Sequence, residues 1–237
     1  MDTAALLASV SPSNHVLVGS RNIAKGEAAL QQILQRNPQG TASLVQLDAD
    51  DDTSINAAVQ HIEQEFGRLD VLINNAGICK ETYDGQWPSR NDLRAEFETN
   101  VFGPTVLTAA LVPLLKNSKS PKIINVSSGL GSIARCSATT DSSSGRVVRV
   151  PGYRMTKAAL NMLTAYQYQQ LKDGGFKVWS FCPGFVVTDL GRDREVREKI
   201  GCESSETSAQ GILEILEGQR DDEVGMFLQR YGERYDW

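Results

Sequence analysis

Short apolar runs alternate with longer amphipathic stretches along this chain, and the alternation predicts its elements. His15-Val16-Leu17-Val18-Gly19 reads as a strand, followed by a helix over about Ala24 to Leu34. Ser43-Leu44-Val45-Gln46-Leu47 is the next strand. Thr53 then caps a helix whose apolar residues Ile55, Ala58, Val59, Ile62 and Phe66 fall on one stripe, and Gly67 ends it. Val71-Leu72-Ile73 is a short buried strand, and a long helix runs from about Asp92 to Leu115. Lys122 to Val126 is a strand, Tyr153 to Leu171 a helix, Lys177 to Phe181 a strand and Glu206 to Leu216 the last helix. Met226-Phe227-Leu228 makes a final strand.

Such alternation predicts an α/β fold, a doubly wound parallel sheet covered on both faces through right-handed crossovers. The 237 residues suffice for one domain with a full core, so 1–237 reads as a single unit without internal repeats. Ligands of such folds sit beyond the carboxyl ends of the strands. The polar residues that follow each strand are therefore the candidate site.

Composition narrows the function by exclusion. A net charge of -5 argues against a nucleic-acid surface, which needs clustered cations. No apolar stretch is long enough to span a bilayer, and Met1 to Val10 lacks the charged start and long apolar run of a signal peptide. A cytoplasmic protein without a membrane partner is expected. Cys79, Cys136, Cys182 and Cys202 show no CxxC spacing and read as reduced thiols. The two histidines, His15 and His61, fall in a strand and a helix, which weakens a Ser–His–Asp triad or a metal site; no metal is expected.

After the first strand, Arg21 suits a ribose 2′-phosphate through charge-assisted bonds, or is a solvated surface residue. Asp48 follows the second strand and could accept from an adenine amino group; with Asp50, Asp51 and Asp52 it could equally form a solvated helix N-terminus. Asn74-Asn75-Ala76-Gly77 follows the third and suits a tight turn that lets backbone approach a ligand. Ser127-Ser128-Gly129 follows the fourth. Cys182-Pro183-Gly184-Phe185-Val186-Val187-Thr188 follows the fifth, with Thr188 able to bond a carboxamide or phosphate.

Tyr153 and Lys157, four residues apart on one helix, stack on one face. A phenol near pKa ~10 is a poor acid at neutral pH, and a neighbouring ammonium is expected to lower it. Tyr153 would then protonate a carbonyl oxygen as hydride arrives, or deprotonate an alcohol. Ser128 would hold the same oxygen, and Asn100 would anchor a water that relays the proton past Lys157.

Asn74-Asn75-Ala76-Gly77, Asn100-Val101-Phe102-Gly103, Asn125-Val126-Ser127-Ser128, Tyr153-Arg154-Met155-Thr156-Lys157 and Pro183-Gly184 stand in the order of classical short-chain dehydrogenases/reductases, which this chain resembles from about Asn14 to Leu190. Gly19 to Asn22, Lys25 to Ala29 and Leu47 to Asp51 resemble the NADPH-preferring carbonyl reductases of that family. The resemblance implies a Rossmann-like fold and NADP(H) chemistry on a small carbonyl or alcohol substrate. Tyr153 would be the acid/base, Lys157 its partner, Ser128 rather than Ser127 the carbonyl anchor and Asn100 the relay. Arg21, Asp48, Asn75, Tyr153, Lys157, Val187 and Thr188 would line the cofactor site.

The family's first strand and its Gly-rich turn, TGxxxGxG, are missing, and Ala4 to Ala8 resembles the tail of the helix after them. Losing a central strand would leave ladder groups unpaired or force its neighbours together. Two accounts are open: a sequence that starts late, or a short form that binds dinucleotide weakly or not at all. The second admits a redox-neutral isomerase, cyclase or dehydratase, and further off a non-catalytic binding protein. The polar segment Ala138 to Gly145 matches an insertion of monomeric carbonyl reductases, which points to a monomer over a homo-oligomer, and 189–205 falls at the family's substrate lid. Tyr231, Tyr235 and Trp237 are expected to pack the terminus. Secondary metabolism is the expected setting.

Overall fold

The computed structural model describes residues 1–80, 87–138, 150–188, 190 and 194–237. Its elements are α1 (Asp2–Ser9), β1 (His15–Ser20), α2 (Ile23–Leu34), β2 (Thr41–Gln46), α3 (Asp52–Phe66), β3 (Val71–Asn74), α4 (Arg90–Phe97), α5 (Gly103–Leu115), β4 (Lys122–Val126), α6 (Ile133–Ala138), α7 (Pro151–Leu171), β5 (Lys177–Cys182), α8 (Arg194–Lys199), α9 (Ser205–Leu216), β6 (Phe227–Gln229) and β7 (Arg234–Tyr235). Every expected strand forms within two residues of its expected bounds. The long helix expected over Asp92 to Leu115 is instead α4 and α5 joined by a π-helical turn, Glu98–Phe102, where the ladder slips by one residue.

The strands are parallel except for β7, which runs antiparallel to β6. One face carries Ile55 and Ile62 of α3, Leu107, Leu111, Leu114 and Leu115 of α5, and Tyr168 of α7, packed on Leu72, Ile123 and Val178. The other carries Ile212 and Ile215 of α9 on Ile124, Trp179, Phe181 and Leu228. There α1 and α2 join through Ala5, Ala8 and Ile33, and Ser205 Oγ donates to Asp2 Oδ2 at 2.6 Å.

The sheet is split. β1 pairs with β2 alone, and β3-β4-β5-β6-β7 form a separate sheet, so β1 and β3 each have a free edge among the described residues. Of the two outcomes expected from a missing central strand, unpaired edges are the one observed. The pieces are held by other means. Leu17 and Leu47 pack against the α3–α5 core. Thr99 Oγ1 donates to Asp50 Oδ2 at 2.8 Å. Gly103, which opens α5, lies so close to Ala49 that an added Cβ would stand 2.7 Å from its carbonyl oxygen.

A buried polar network pins the middle strands. Asn74 Nδ2 donates to Asn125 Oδ1 at 2.8 Å and to Thr108 Oγ1 at 3.0 Å. Asn125 Nδ2 donates to Thr164 Oγ1 at 2.9 Å and Gln167 Oε1 at 2.8 Å. Four elements, β3, β4, α5 and α7, are thereby fixed in register by amides that would be costly to leave unpaired. Asn74 is thus a buried strand residue rather than part of the turn.

His15 bonds Thr41 Oγ1 at 2.6 Å and Ser43 Oγ at 2.9 Å, and His61 lies exposed on α3. None of the four cysteines is in a disulfide. Among the described residues no helix is long and apolar enough to cross a membrane, and no three metal-binding side chains cluster. Of the polar segment only Ala138 is described. Within the expected lid, residues 189 and 191–193 lie outside the described residues and Arg194–Lys199 forms α8.

Candidate active site

Pro151 occupies the first turn of α7, where its missing N–H costs nothing, and the helix then carries Tyr153 and Lys157 on one face. Both are buried, at 7% and 3% exposure. Ser128, two residues beyond the end of β4, stands close enough to the Tyr153 hydroxyl to favour its charged form. Lys157 Nζ donates to the Val126 carbonyl at 2.7 Å and lies 5.5 Å from the centre of the Tyr153 ring. Ser127 is buried and donates to Asn161 Oδ1 at 2.6 Å, so of the two serines Ser128 is the one that meets the phenol.

Asn100 sits in the π-helical turn, fully buried. Its Oδ1 accepts from Ile78 N–H at 2.8 Å, and its Nδ2 donates to the Ile78 carbonyl at 2.9 Å and Thr156 Oγ1 at 3.0 Å. Both Nδ2 protons and one Oδ1 lone pair of this side chain are thus bonded to protein. It clamps the turn after β3 onto α7, next to the residue before Lys157. Gly77 in that turn faces both groups: a Cβ there would stand 3.3 Å from Asn100 Oδ1 and 3.6 Å from Lys157 Nζ. Ser128, Tyr153, Lys157 and Asn100 are therefore brought together at the carboxyl edge, as the sequence reading expected.

The electrostatics correct one expectation. Burial pushes the Tyr153 phenol well above its ordinary range, with Cys79 and Cys182 adding to the rise; Ser128 and Arg197 oppose it. Lys157 does not make the phenol acidic. Burial pulls its own ammonium down to about 8. Desolvation penalises the charged forms of both groups at once. With its Nζ directed to the Val126 carbonyl, Lys157 also lies over the ring face of Tyr153.

The other named positions line the same edge. Arg21 is exposed, in no ion pair among the described residues. Asp48 is half-buried, its Oδ1 accepting from Asp50 N–H at 3.2 Å. Asn75 is exposed beyond β3. Val187 is buried and its N–H donates to the Glu203 carbonyl at 2.8 Å, while Thr188 Oγ1 accepts from Leu190 N–H at 3.4 Å. A free guanidinium at one end and a Tyr–Ser pair at the other fit the two ends of NADP(H). The pyrophosphate between them finds no glycine-rich turn among the described residues. A hollow of about 480 Å³ lies elsewhere, against β2 and α3, lined by Gln46, Asp51, Ser54 and His61.

Sequence reasoning missed Arg197 of α8. It is buried, donates from Nη1 to the Val186 carbonyl at 2.9 Å and lies 5.0 Å from the Phe185 ring. Charge-rich sequence around it gave no sign that this one guanidinium turns inward.

Known proteins agree with this geometry. The model of the short chain dehydrogenases matches residues 3–199. The short-chain dehydrogenase anuI of Penicillium roqueforti is 38% identical over 213 residues, covering 89% of this chain and 81% of its own. Bovine (Bos taurus) carbonyl reductase [NADPH] 1 is 32% identical over 214 residues, 76% of this chain and 75% of its own. The NADPH-bound carbonyl reductase from chicken fatty liver superposes with a TM-score of 0.80 at 30% identity, covering 98% of this chain and 91% of its own. By fold, site and relatives alike, the chain belongs to the short-chain dehydrogenase/reductase family of oxidoreductases and is carbonyl-reductase-like within it.

Proposed function

We propose that the protein uses NADP(H) to interconvert a carbonyl and an alcohol on a small organic substrate, in secondary metabolism. The observation that carries this reading is the buried Tyr153 beside Ser128, with Lys157 one turn on and its Nζ 5.5 Å from the ring centre. NADPH, when bound, supplies hydride to the carbonyl carbon. Ser128 holds the carbonyl oxygen, and Tyr153 delivers its proton to that oxygen as charge develops there. A phenol raised by burial keeps its proton at neutral pH, the form in which it can protonate a carbonyl oxygen. Lys157, lowered to about 8, can pass a proton on to Tyr153 close to neutrality. Asn100 acts by clamping the Ile78 backbone and Thr156 around that lysine. Arg21 would take the 2′-phosphate, and Asp48, Asn75, Val187 and Thr188 would line the rest of the dinucleotide. The bovine and chicken relatives, both named for NADPH, support that preference. A monomeric, cytoplasmic enzyme belongs to the same proposal.

The second reading is a redox-neutral isomerase, cyclase or dehydratase that keeps Tyr153 but needs no dinucleotide. Titration with NADPH followed by fluorescence, then NADPH oxidation against a panel of ketones and aldehydes, separates the two. Saturable binding, with turnover that Tyr153→Phe abolishes, is the expected result. Turnover without NADPH that is unchanged in Arg21→Ala would overturn it in favour of the second.

A further inference from the structure

The chain ends against the catalytic serine's turn. β7 pairs with β6, placing Tyr235 opposite Phe227. The Tyr235 and Trp237 rings lie 5.1 and 5.6 Å from that of Phe227. Beyond β7, Ser132 Oγ donates to the Asp236 carbonyl at 2.7 Å and Ala134 N–H to the Trp237 carbonyl at 2.9 Å. The tail is thus bonded to the stretch that follows Ser128. At Gly129, the next residue, a Cβ would come within 2.5 Å of Arg135 Nη1 and 2.9 Å of the Tyr235 hydroxyl. The Arg135 guanidinium in turn lies 4.8 Å from the centre of the Tyr235 ring. Glycine is needed here because Tyr235 and Arg135 rest directly on its backbone.

The same place holds a sulfur that the proposed chemistry does not use. Cys182 closes β5 and is 4% exposed. Its Sγ accepts from Gly129 N–H at 3.0 Å and from Gly184 N–H at 3.4 Å. One atom therefore joins two turns, the one after Ser128 and the Pro183-Gly184 turn, and Tyr235 of the C-terminal strand stands against the same Gly129. A serine oxygen lies nearer its Cβ than sulfur does and falls short of two N–H groups this far apart, whereas alanine leaves them unpaired.

We propose that Cys182 and Tyr235 are positioning residues: together they fix the Ser128-Gly129 turn against the Pro183-Gly184 turn, and so set how far the carbonyl anchor stands from the segment leading to Val187 and Thr188. This rests on Ser128 being the carbonyl anchor. Neither residue touches the reacting atoms. Both act through the backbone at Gly129, and small misplacements at a reacting centre cost rate steeply.

The test uses the full chain with Cys182→Ala, Cys182→Ser and Tyr235→Phe; the last keeps the ring on Phe227 and Arg135 and loses only the hydroxyl. Four quantities are measured: kcat and KM for NADPH-dependent carbonyl reduction, NADPH affinity, melting temperature, and amide hydrogen exchange at Gly129 and Gly184. In Cys182→Ala and Tyr235→Phe we expect kcat to fall about tenfold with NADPH affinity kept within twofold. Gly129 exchange should quicken, and Cys182→Ser should restore less than half of the lost rate. Unchanged kcat in both variants overturns the inference while leaving the proposed function standing. So does a fall in kcat that merely follows the melting temperature, with Gly129 exchange unaltered. A wild type that binds NADPH but turns over no carbonyl overturns the proposed function itself, and the positioning role of the sulfur with it.

Discussion

At the carboxyl ends of β3, β4 and β5 most polar side chains are bonded to another part of the protein, whereas at the ends of β1 and β2 several face solvent. Asn125 and Asn100 are both fully buried and bonded to protein. Arg21 is exposed, and β1, which it follows, has a free edge among the described residues. The half that carries Tyr153 is thus held by its own interior. The half that carries Arg21 is tied to it by apolar packing of Leu17 and Leu47 and by the Thr99–Asp50 bond. Substitutions in the first half should cost rate or stability; those in the second should cost affinity alone.

The largest effect is expected at Tyr153. Tyr153→Phe should lower kcat by about a hundredfold or more, with NADPH affinity little changed; steady-state kinetics beside a binding titration would check both. Asn125→Leu strands Asn74 on one side and Thr164 and Gln167 on the other. It should lower folding stability by about 3 kcal/mol, read from urea unfolding. A loss under about 1 kcal/mol would mean that the network relaxes around the change.

Lys157 gives a pH signature. Its folded-state value, about 8, lies below the 10.5 of an unburied lysine. Between those values the unfolded chain holds a proton that the folded protein has released, so wild-type stability should gain from this group as pH rises through that window. Lys157→Met should remove that gain, seen as a flatter stability-against-pH curve over the same range. The smallest effect belongs to the exposed half: Arg21→Ala should weaken NADPH binding about tenfold, leave NADH binding alone and leave the melting temperature unchanged.

Much of this was legible in the sequence because it rested on continuous patterns. The apolar runs that make strands carry their own boundaries, and Tyr153 with Lys157 needs only helical spacing to share a face. The free edges of β1 and β3 match one of the two outcomes expected when no strand lies between them. What stayed hidden depended on the third dimension. The apolar stripe of α4 and α5 runs on through Glu98–Phe102, so nothing local marks the π-helical slip that orients Asn100. The raised Tyr153 phenol reflects burial by segments far apart in the chain, against the simple expectation drawn from its lysine neighbour. β7 spans two residues, too few for any periodic signal, and the bond from Cys182 to Gly129 joins positions 53 residues apart.

The central claim is that Tyr153 protonates a carbonyl oxygen while NADPH reduces the carbonyl carbon. It is tested most directly with NADPH deuterated at its transferable position, by mass spectrometry of the product. One deuterium on the new carbinol carbon in the wild type, and no product from Tyr153→Phe, is the predicted result. Product formed without deuterium, at a rate indifferent to NADPH, would contradict it.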